Sequence, residues 1–198
     1  MKKAVLILIG FIFLFSAIFF VAAQTNDKKM IDLTQKNNGE MLPVLKNPHL
    51  VVKKKERKLE LFDDKKLVRT YSVALGFSPD GDKEIEGDGK TPEGDFYVFT
   101  KNPKSNFYLS LGLSYPGIDD AKRGLEQKLI TQTEFDEIAD ALKNKRMPLQ
   151  KTKLGGEIYI HGGGNSEDWT WGCVALTNEE IKQLFDAIPV GTRVIIEP

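Results

Sequence analysis

Glu157-Ile158-Tyr159-Ile160-His161-Gly162-Gly163-Gly164, followed after a six-residue loop by Trp171-Gly172-Cys173-Val174, is the stretch on which the fold and the chemistry of this chain turn. An apolar strand from Gly156 to Ile160 runs directly into a histidine and then into three glycines. Glycines at a strand end let the backbone bend sharply and approach a ligand closely, at the expense of packing. Twelve residues after His161 stands Cys173, the single cysteine of the chain, preceded by another glycine. A lone cysteine is either a small buried apolar residue or a thiol in use. Past it, Thr177 and Glu180 form a capping box for a short helix carrying Ile181, Leu184, Phe185 and Ile188. The thiol is thus expected close before a helix N-terminus, where the dipole and free N–H groups lower a thiol pKa and hold an oxyanion. A Cys–His pair with backbone donors is the minimal apparatus for acyl transfer through a thioester.

Upstream, the pattern is that of a sheet. Leu50-Val51-Val52 opens a strand, and Leu59 and Leu61 alternate with Lys58, Glu60 and Phe62. Asp63 to Lys66 makes a turn, and Leu67 to Leu75 returns as a longer strand ending at Gly76. Gly94 to Thr100 and Asn106 to Leu113 are aromatic-rich strands, and Val194 to Ile196 is the last. One helix interrupts them: Thr131 and Glu134 cap it, Phe135, Ile138, Ala139 and Leu142 share a face, and Pro148 ends it. Lys53 to Lys58 reads as a solvated hairpin tip rather than a functional basic patch. The Gly- and Asp-rich segment Phe77 to Lys90 lacks the EF-hand offsets and reads as a surface turn. His49 reads as structural. The result is a mainly β fold, a sandwich or barrel with short inserted helices.

Composition narrows the function. Lys+Arg and Asp+Glu both total 28 in 198 residues, so no basic excess points to nucleic acid. One cysteine and two histidines are too few for a Cys/His structural zinc site. Lys2 and Lys3 precede an uncharged run from Ala4 to Ala23, twenty residues in which Gly10 and Ser16 alone are not plainly apolar. Residues 1–23 read as a cleaved secretory signal or as an uncleaved membrane anchor, and either reading exports the rest to the periplasm or cell envelope. Residues 24–47 are polar without apolar period, a linker, and residues 48–198 form the domain. Without Lys2 and Lys3 the balance is 26 basic against 28 acidic residues, a net of −2, so bulk charge does not choose the partner.

His161-Gly162 followed by Thr170-Trp171-Gly172-Cys173-Val174 resembles the signature of the L,D-transpeptidase catalytic domain family, the YkuD-like domain. Thr91-Pro92-Glu93-Gly94-Asp95-Phe96 resembles that family's Thr-Pro-x-Gly-x-Phe element, and the opening hairpin with Tyr71-Ser72-Val73-Ala74-Leu75-Gly76 resembles its start. The resemblance covers about residues 48–198. It implies a largely β fold, peptidoglycan stem peptides as the partner, and no metal or other cofactor; a monomer is expected. It implies that Cys173 attacks the carbonyl of the third stem residue and expels the terminal D-alanine. His161 is then the general base, its ring oriented by the carbonyl of Gly162, and amides around Gly172 and Cys173 form the oxyanion hole. The acyl group passes to an amine of a neighbouring stem, or to water.

Three features depart from the common pattern of the family. Trp171 stands where many members have histidine, Ala175 where many have arginine or asparagine, and the His161-to-Cys173 interval is short. Tyr108 to Pro116, with Asp119 beyond, resembles a divergent branch, some of whose members hydrolyse. Trp169, Trp171 and Tyr159 are candidates to line a peptide- or sugar-binding groove. Glu167 and Asp168 read as exposed loop carboxylates rather than as partners of a substrate amine. Beside the acyl-transferase stand two alternatives: a peptidase or amidase with the same acyl-enzyme, and a non-catalytic wall-binding module. A disulfide exchanger lacks a second cysteine to resolve the mixed disulfide.

Overall fold

The computed structural model describes residues 41–198, and the expected signal or anchor at residues 1–23 lies outside them. Leu59 and Leu61 are fully buried while Lys58, Glu60 and Phe62 are not, the two-residue period of a strand with one face on a core, and Leu50, Val51 and Val52 form a buried run beside them. Those residues build strands β1 (Pro48–Lys53) and β2 (Lys58–Asp63), which pair antiparallel. Strand β3 (Lys66–Ser72) follows on β2. Strands β4 (Gly94–Ser105) and β5 (Tyr108–Leu113) form a second hairpin. Helices α1 (Ile118–Glu126) and α2 (Gln132–Lys143) come next, then the short strands β6 (Tyr159–His161) and β7 (Val174–Ala175). Helix α3 (Asn178–Ala187) and strand β8 (Arg193–Glu197) complete the chain.

All eight strands join one sheet in the order β3-β2-β1-β8-β4-β5-β6-β7. The last strand pairs parallel with β1 and antiparallel with β4, so the C-terminus welds the opening hairpin to the second one. The main core gathers residues from the strands and from α3, with Tyr71, Tyr115, Leu111, Ile160 and Val194 among them. The mainly β reading therefore holds. A smaller apolar cluster of Ala121, Ile130, Ile138 and Leu154 holds α1 and α2 together as an insert between β5 and β6. The cap of α2 is as expected, with Glu134 N donating to Thr131 Oγ1 at 3.2 Å and Thr131 N to Glu134 Oε2 at 2.7 Å.

Several elements differ from the sequence reading. Helix α1 was not expected, because its start is Gly117, whose amide donates to Asp120 Oδ2 at 2.9 Å, a cap without a capping side chain at the N-cap itself. Strand β3 ends at Ser72 rather than continuing to Leu75. The chain then changes partner: Ala74 bridges to Ala175 and Gly76 to Thr170, so this segment lies against the cysteine loop instead of β2. Gly76 also packs closely on the Gly89-Lys90 segment, since a Cβ there would sit 2.0 Å from the carbonyl oxygen of Gly89. Strand β6 begins at Tyr159 rather than Gly156, because Glu157 has a φ of +55° that breaks the extended run.

The hairpin tip is not solvated throughout. Lys54 is 3% exposed; its Nζ donates to the carbonyls of Gly81 and Thr91 and pairs with Glu93 Oε1 at 2.7 Å. Arg57 likewise turns inward, onto Asp168. The segment Phe77 to Lys90 is held as well: Lys83 is buried against Asp88 at 2.8 Å, and Asp88 Oδ2 accepts the amides of Glu84 and Ile85. His49 stacks on Phe62 at 5.1 Å between ring centroids, a packing role.

Candidate active site

Strand β6 lies between β5 and β7, with Ser110 opposite His161 on one side and Ala175 on the other. Ile160 is likewise opposite Val174, so the parallel pairing sets Cys173 beside the strand that carries His161. The turn out of β6 is pressed against the β4–β5 hairpin. Gly162 N donates to Phe107 O at 3.1 Å, and a Cβ on Gly162 would stand 2.8 Å from that oxygen and 2.5 Å from Asn178 Oδ1. No larger residue fits there without moving the hairpin or the start of α3. The same Asn178 oxygen accepts the Gly163 amide at 3.0 Å, tying the glycine run to that helix.

His161 is buried, and its Nδ1 lies 2.6 Å from Gly162 O. A carbonyl oxygen can only accept, so Nδ1 carries the proton and Nε2 keeps its lone pair for another group. The ring is also held by two aromatics. Phe107 stacks on it at 4.6 Å between centroids, and Trp169 meets it edge-on at 5.5 Å. Burial holds the His161 pKa below its ordinary value, against the opposing effect of the Gly162 carbonyl, so the imidazole is neutral near pH 7.

The Cys173 backbone is pinned through its carbonyl, which accepts from Thr170 Oγ1 at 2.8 Å and from Thr91 Oγ1 at 3.5 Å. Thr91 also accepts the Gly76 amide, which gives the Thr-Pro segment a structural part in the site. Gly172 has a φ of +122°, and a Cβ there would come within 2.6 Å of Lys90 O. The sulfur meets the Tyr159 amide at 3.4 Å and donates to Glu157 O at 3.6 Å. Burial pushes the thiol up to about 11, and the nearby Glu157 charge acts in the same direction while the Tyr159 amide opposes it. The expected lowering by a helix N-terminus is thus reversed. Helix α3 begins only at Asn178, and the amide at the sulfur is that of Tyr159. A neutral thiol beside a neutral imidazole is the resting state these environments favour.

The other candidate residues separate by role. The Gly172 amide donates to Thr170 Oγ1 at 3.2 Å, so it already has a partner in the resting structure. Trp169 is half-buried; its Nε1 donates to Gly164 O at 3.1 Å and its ring packs on Phe107 and His161. Trp171 is 69% exposed and touches Phe77 edge-on at 4.9 Å. Asp168 is no open loop carboxylate: it receives Arg57 Nε and Nη2 at 2.9 and 2.7 Å and the Leu75 amide at 2.8 Å, stapling the cysteine loop to the β1–β2 hairpin.

Two clefts share Cys173 in their walls. One, of about 890 Å³, is walled by Lys151, Lys153, Glu86, Glu134, Trp171 and Cys173. The other, of about 330 Å³, is walled by Asn102, Lys104, Phe107, Tyr159 and His161, again with Cys173. Glu157 lines both. Phe107 and Glu157 were not singled out from the sequence. Nothing local marks them, since each matters through a contact with a residue brought close by the sheet. Among the described residues, no group of three or more His, Cys, Asp or Glu is arranged to hold a metal ion.

The domain is mainly β, a curled sheet with few short helices, in which the buried His161 ends β6 and Cys173 directly precedes the neighbouring β7. The chain belongs to the L,D-transpeptidase catalytic domain family, whose model, YkuD, matches residues 47–196. It is 28% identical over 159 residues to a Bacillus subtilis (strain 168) protein named "Putative L,D-transpeptidase YqjB", covering 78% of this chain and 73% of that one. It is 26% identical over 157 residues to "Putative L,D-transpeptidase YafK" of Escherichia coli (strain K12), covering 76% of this chain and 50% of that one. The fold is shared with the helical cell shape determining protein Pgp2 of Campylobacter jejuni, at a TM-score of 0.51 and 22% identity, over 84% of this chain and 54% of that one. The chain therefore spans about half the length of the latter two proteins. Membership supports a peptidoglycan-related function of the L,D-transpeptidase type.

Proposed function

We propose that this protein is a cell-envelope cysteine acyl-transferase that acts on peptidoglycan stem peptides, exported by way of residues 4–23 and working as a monomer. The observation that carries the reading is the bond from His161 Nδ1 to Gly162 O, which leaves Nε2 as a base in the cleft that Cys173 also lines. In the first half-reaction the thiol proton passes to His161 Nε2 as Sγ bonds to the carbonyl carbon of the third stem residue. The tetrahedral oxyanion collapses, the C–N bond to D-alanine breaks, and the proton on Nε2 goes to the leaving amine. A thioester remains. In the second half-reaction an amine attacks the thioester carbon, the C–S bond breaks, and His161 returns the amine proton to sulfur. One peptide bond is broken and one made, so no external energy source is required.

Both pKa directions suit this sequence. A thiol pushed up to about 11 loses its proton only as the attack proceeds, and a histidine held below its ordinary value is ready to receive it. The Cys173 amide is the proposed principal oxyanion donor, with Gly172 contributing after release of its bond to Thr170. Trp171 and Tyr159 are proposed to contact substrate from the larger and smaller clefts. Trp169 is proposed to position His161.

Intact mass of the purified protein after incubation with a carbapenem, beside Cys173→Ala, tests the reading. One adduct on the wild type and none on the variant is expected. Absence of the adduct, together with failure to convert stem tetrapeptides, would leave a non-catalytic wall-binding module as the better account. Release of D-alanine with water as the acceptor, and with no cross-linked product, would identify a peptidase using the same acyl-enzyme.

A further inference from the structure

We infer that Glu157 holds the ammonium group of the acceptor, and so decides whether the acyl group passes to an amine or to water. The inference rests on the acyl-transfer reading proposed above. Three observations converge on this residue. Its carbonyl oxygen accepts from the Cys173 thiol at 3.6 Å, which puts its backbone beside the proposed nucleophile. Its amide donates to Gln150 Oε1 at 2.7 Å, and its φ of +55° is a conformation that a Cβ disfavours, so the residue is held in place from both sides. The residue is exposed and lines both of the clefts that Cys173 also lines.

The charges around the clefts make the assignment specific. In the smaller cleft, which contains His161, Glu157 is the one carboxylate among the lining residues, and Lys104 is the one cation. The larger cleft mixes Lys151 and Lys153 with Glu86 and Glu134, and its Lys83 is already paired with Asp88. A primary amine approaching the thioester from the histidine side therefore meets a single counter-charge among the lining residues, that of Glu157.

Side-chain amines of diamino acids are protonated near neutral pH. A carboxylate at this junction raises the occupancy of the ammonium form beside the acyl-enzyme. The amine then loses one proton to solvent and attacks. The C–N bond forms, the C–S bond breaks, and the second proton passes through His161 Nε2 to Sγ. Because the carboxylate favours the charged amine, it helps capture rather than the chemical step. Its removal is read in the acceptor KM and in the product ratio. Water needs no such anchor, so hydrolysis is not assisted.

The test uses the purified full-length protein, a stem tetrapeptide donor and a tripeptide acceptor whose diamino acid carries a free side-chain amine. Cross-linked and hydrolysed products are counted by mass spectrometry and referred to the acyl-enzyme formed. Glu157→Gln is expected to raise the acceptor KM about fivefold, the scale of a partly screened ion pair, and to lower the ratio of cross-link to hydrolysis accordingly. Glu157→Lys is expected to lower it further, and Glu157→Asp to restore part of it. An unchanged KM and ratio in Glu157→Gln and Glu157→Lys overturns the inference. So does a wild type that forms the acyl-enzyme yet passes it only to water at any acceptor concentration. Absence of an acyl-enzyme on the wild type overturns the acyl-transfer reading itself, and the inference falls with it.

Discussion

Phe107 stacks on His161 with ring centroids 4.6 Å apart and planes inclined by 25°. The phenylalanine comes from the tip of the β4–β5 hairpin, and its carbonyl accepts the amide of Gly162, whose own carbonyl orients the histidine. One residue thus supports both the ring and the turn that fixes it. Phe107→Ala keeps the carbonyl but removes the ring. Water then reaches the imidazole, and its pKa, held down by burial, rises towards the ordinary value. The acidic limb of the rate profile is expected to move to higher pH, with turnover falling about tenfold through loss of orientation. Titration of His161 by NMR checks the shift. An unmoved pKa in a folded variant would rule this role out.

Cys173 gives a second pH signature. With the thiol pushed up to about 11 by burial, only about one part in ten thousand is thiolate at pH 7. Alkylation by iodoacetamide is expected to rise about tenfold per pH unit from pH 7 towards 10, because the reactive form is the deprotonated one. Acylation by a carbonyl donor is expected to behave differently. It needs the thiol with its proton and His161 without one, so it is flat from the histidine pKa up to that of the thiol. An alkylation plateau already present at pH 6 would mean an ion-paired thiolate instead.

Gly172→Ala is expected to destabilise the fold by about 2–4 kcal/mol, combining left-handed strain with a Cβ 2.6 Å from the Lys90 carbonyl. Gly164→Ala is the control, since its φ is +108° but its Cβ meets nothing within 4 Å. Only the strain of about 1–3 kcal/mol applies there. Urea unfolding of both variants separates the clash from the strain. Equal losses would show that the Lys90 segment simply moves aside.

Asp120 introduces a dependence of stability on pH. Burial raises its pKa to about 6, although the Gly117 amide and Arg123 oppose that effect. The folded carboxyl therefore holds its proton more tightly than the unfolded one, whose ordinary value is 3.8. Stability is highest below the unfolded value and falls as pH rises to about 6, by about 3 kcal/mol in all. Chemical denaturation of wild type and Asp120→Asn across pH 3.5 to 7 is expected to show this loss in the wild type alone. A wild type with the same slope as the variant over that range would contradict the assignment.

What the amino-acid sequence determined by itself was whatever depends on neighbours along the chain. The caps Thr131–Glu134 and Thr177–Glu180 form within one helical turn, and the alternation of Leu59 and Leu61 with Glu60 is a property of six consecutive residues. The ring-to-carbonyl bond of His161 with Gly162 spans adjacent residues, so its geometry was open to expectation from the motif. Tertiary structure alone decided the rest. Whether Lys54 is solvated depends on Glu93 and on the carbonyls of Gly81 and Thr91, and the role of Asp168 depends on Arg57. The sign of the Cys173 shift is a competition between the Tyr159 amide and the desolvation imposed by everything packed around the sulfur. Burial is the sum of many long-range contacts that no local pattern records, and here it outweighs the one amide that reaches the sulfur.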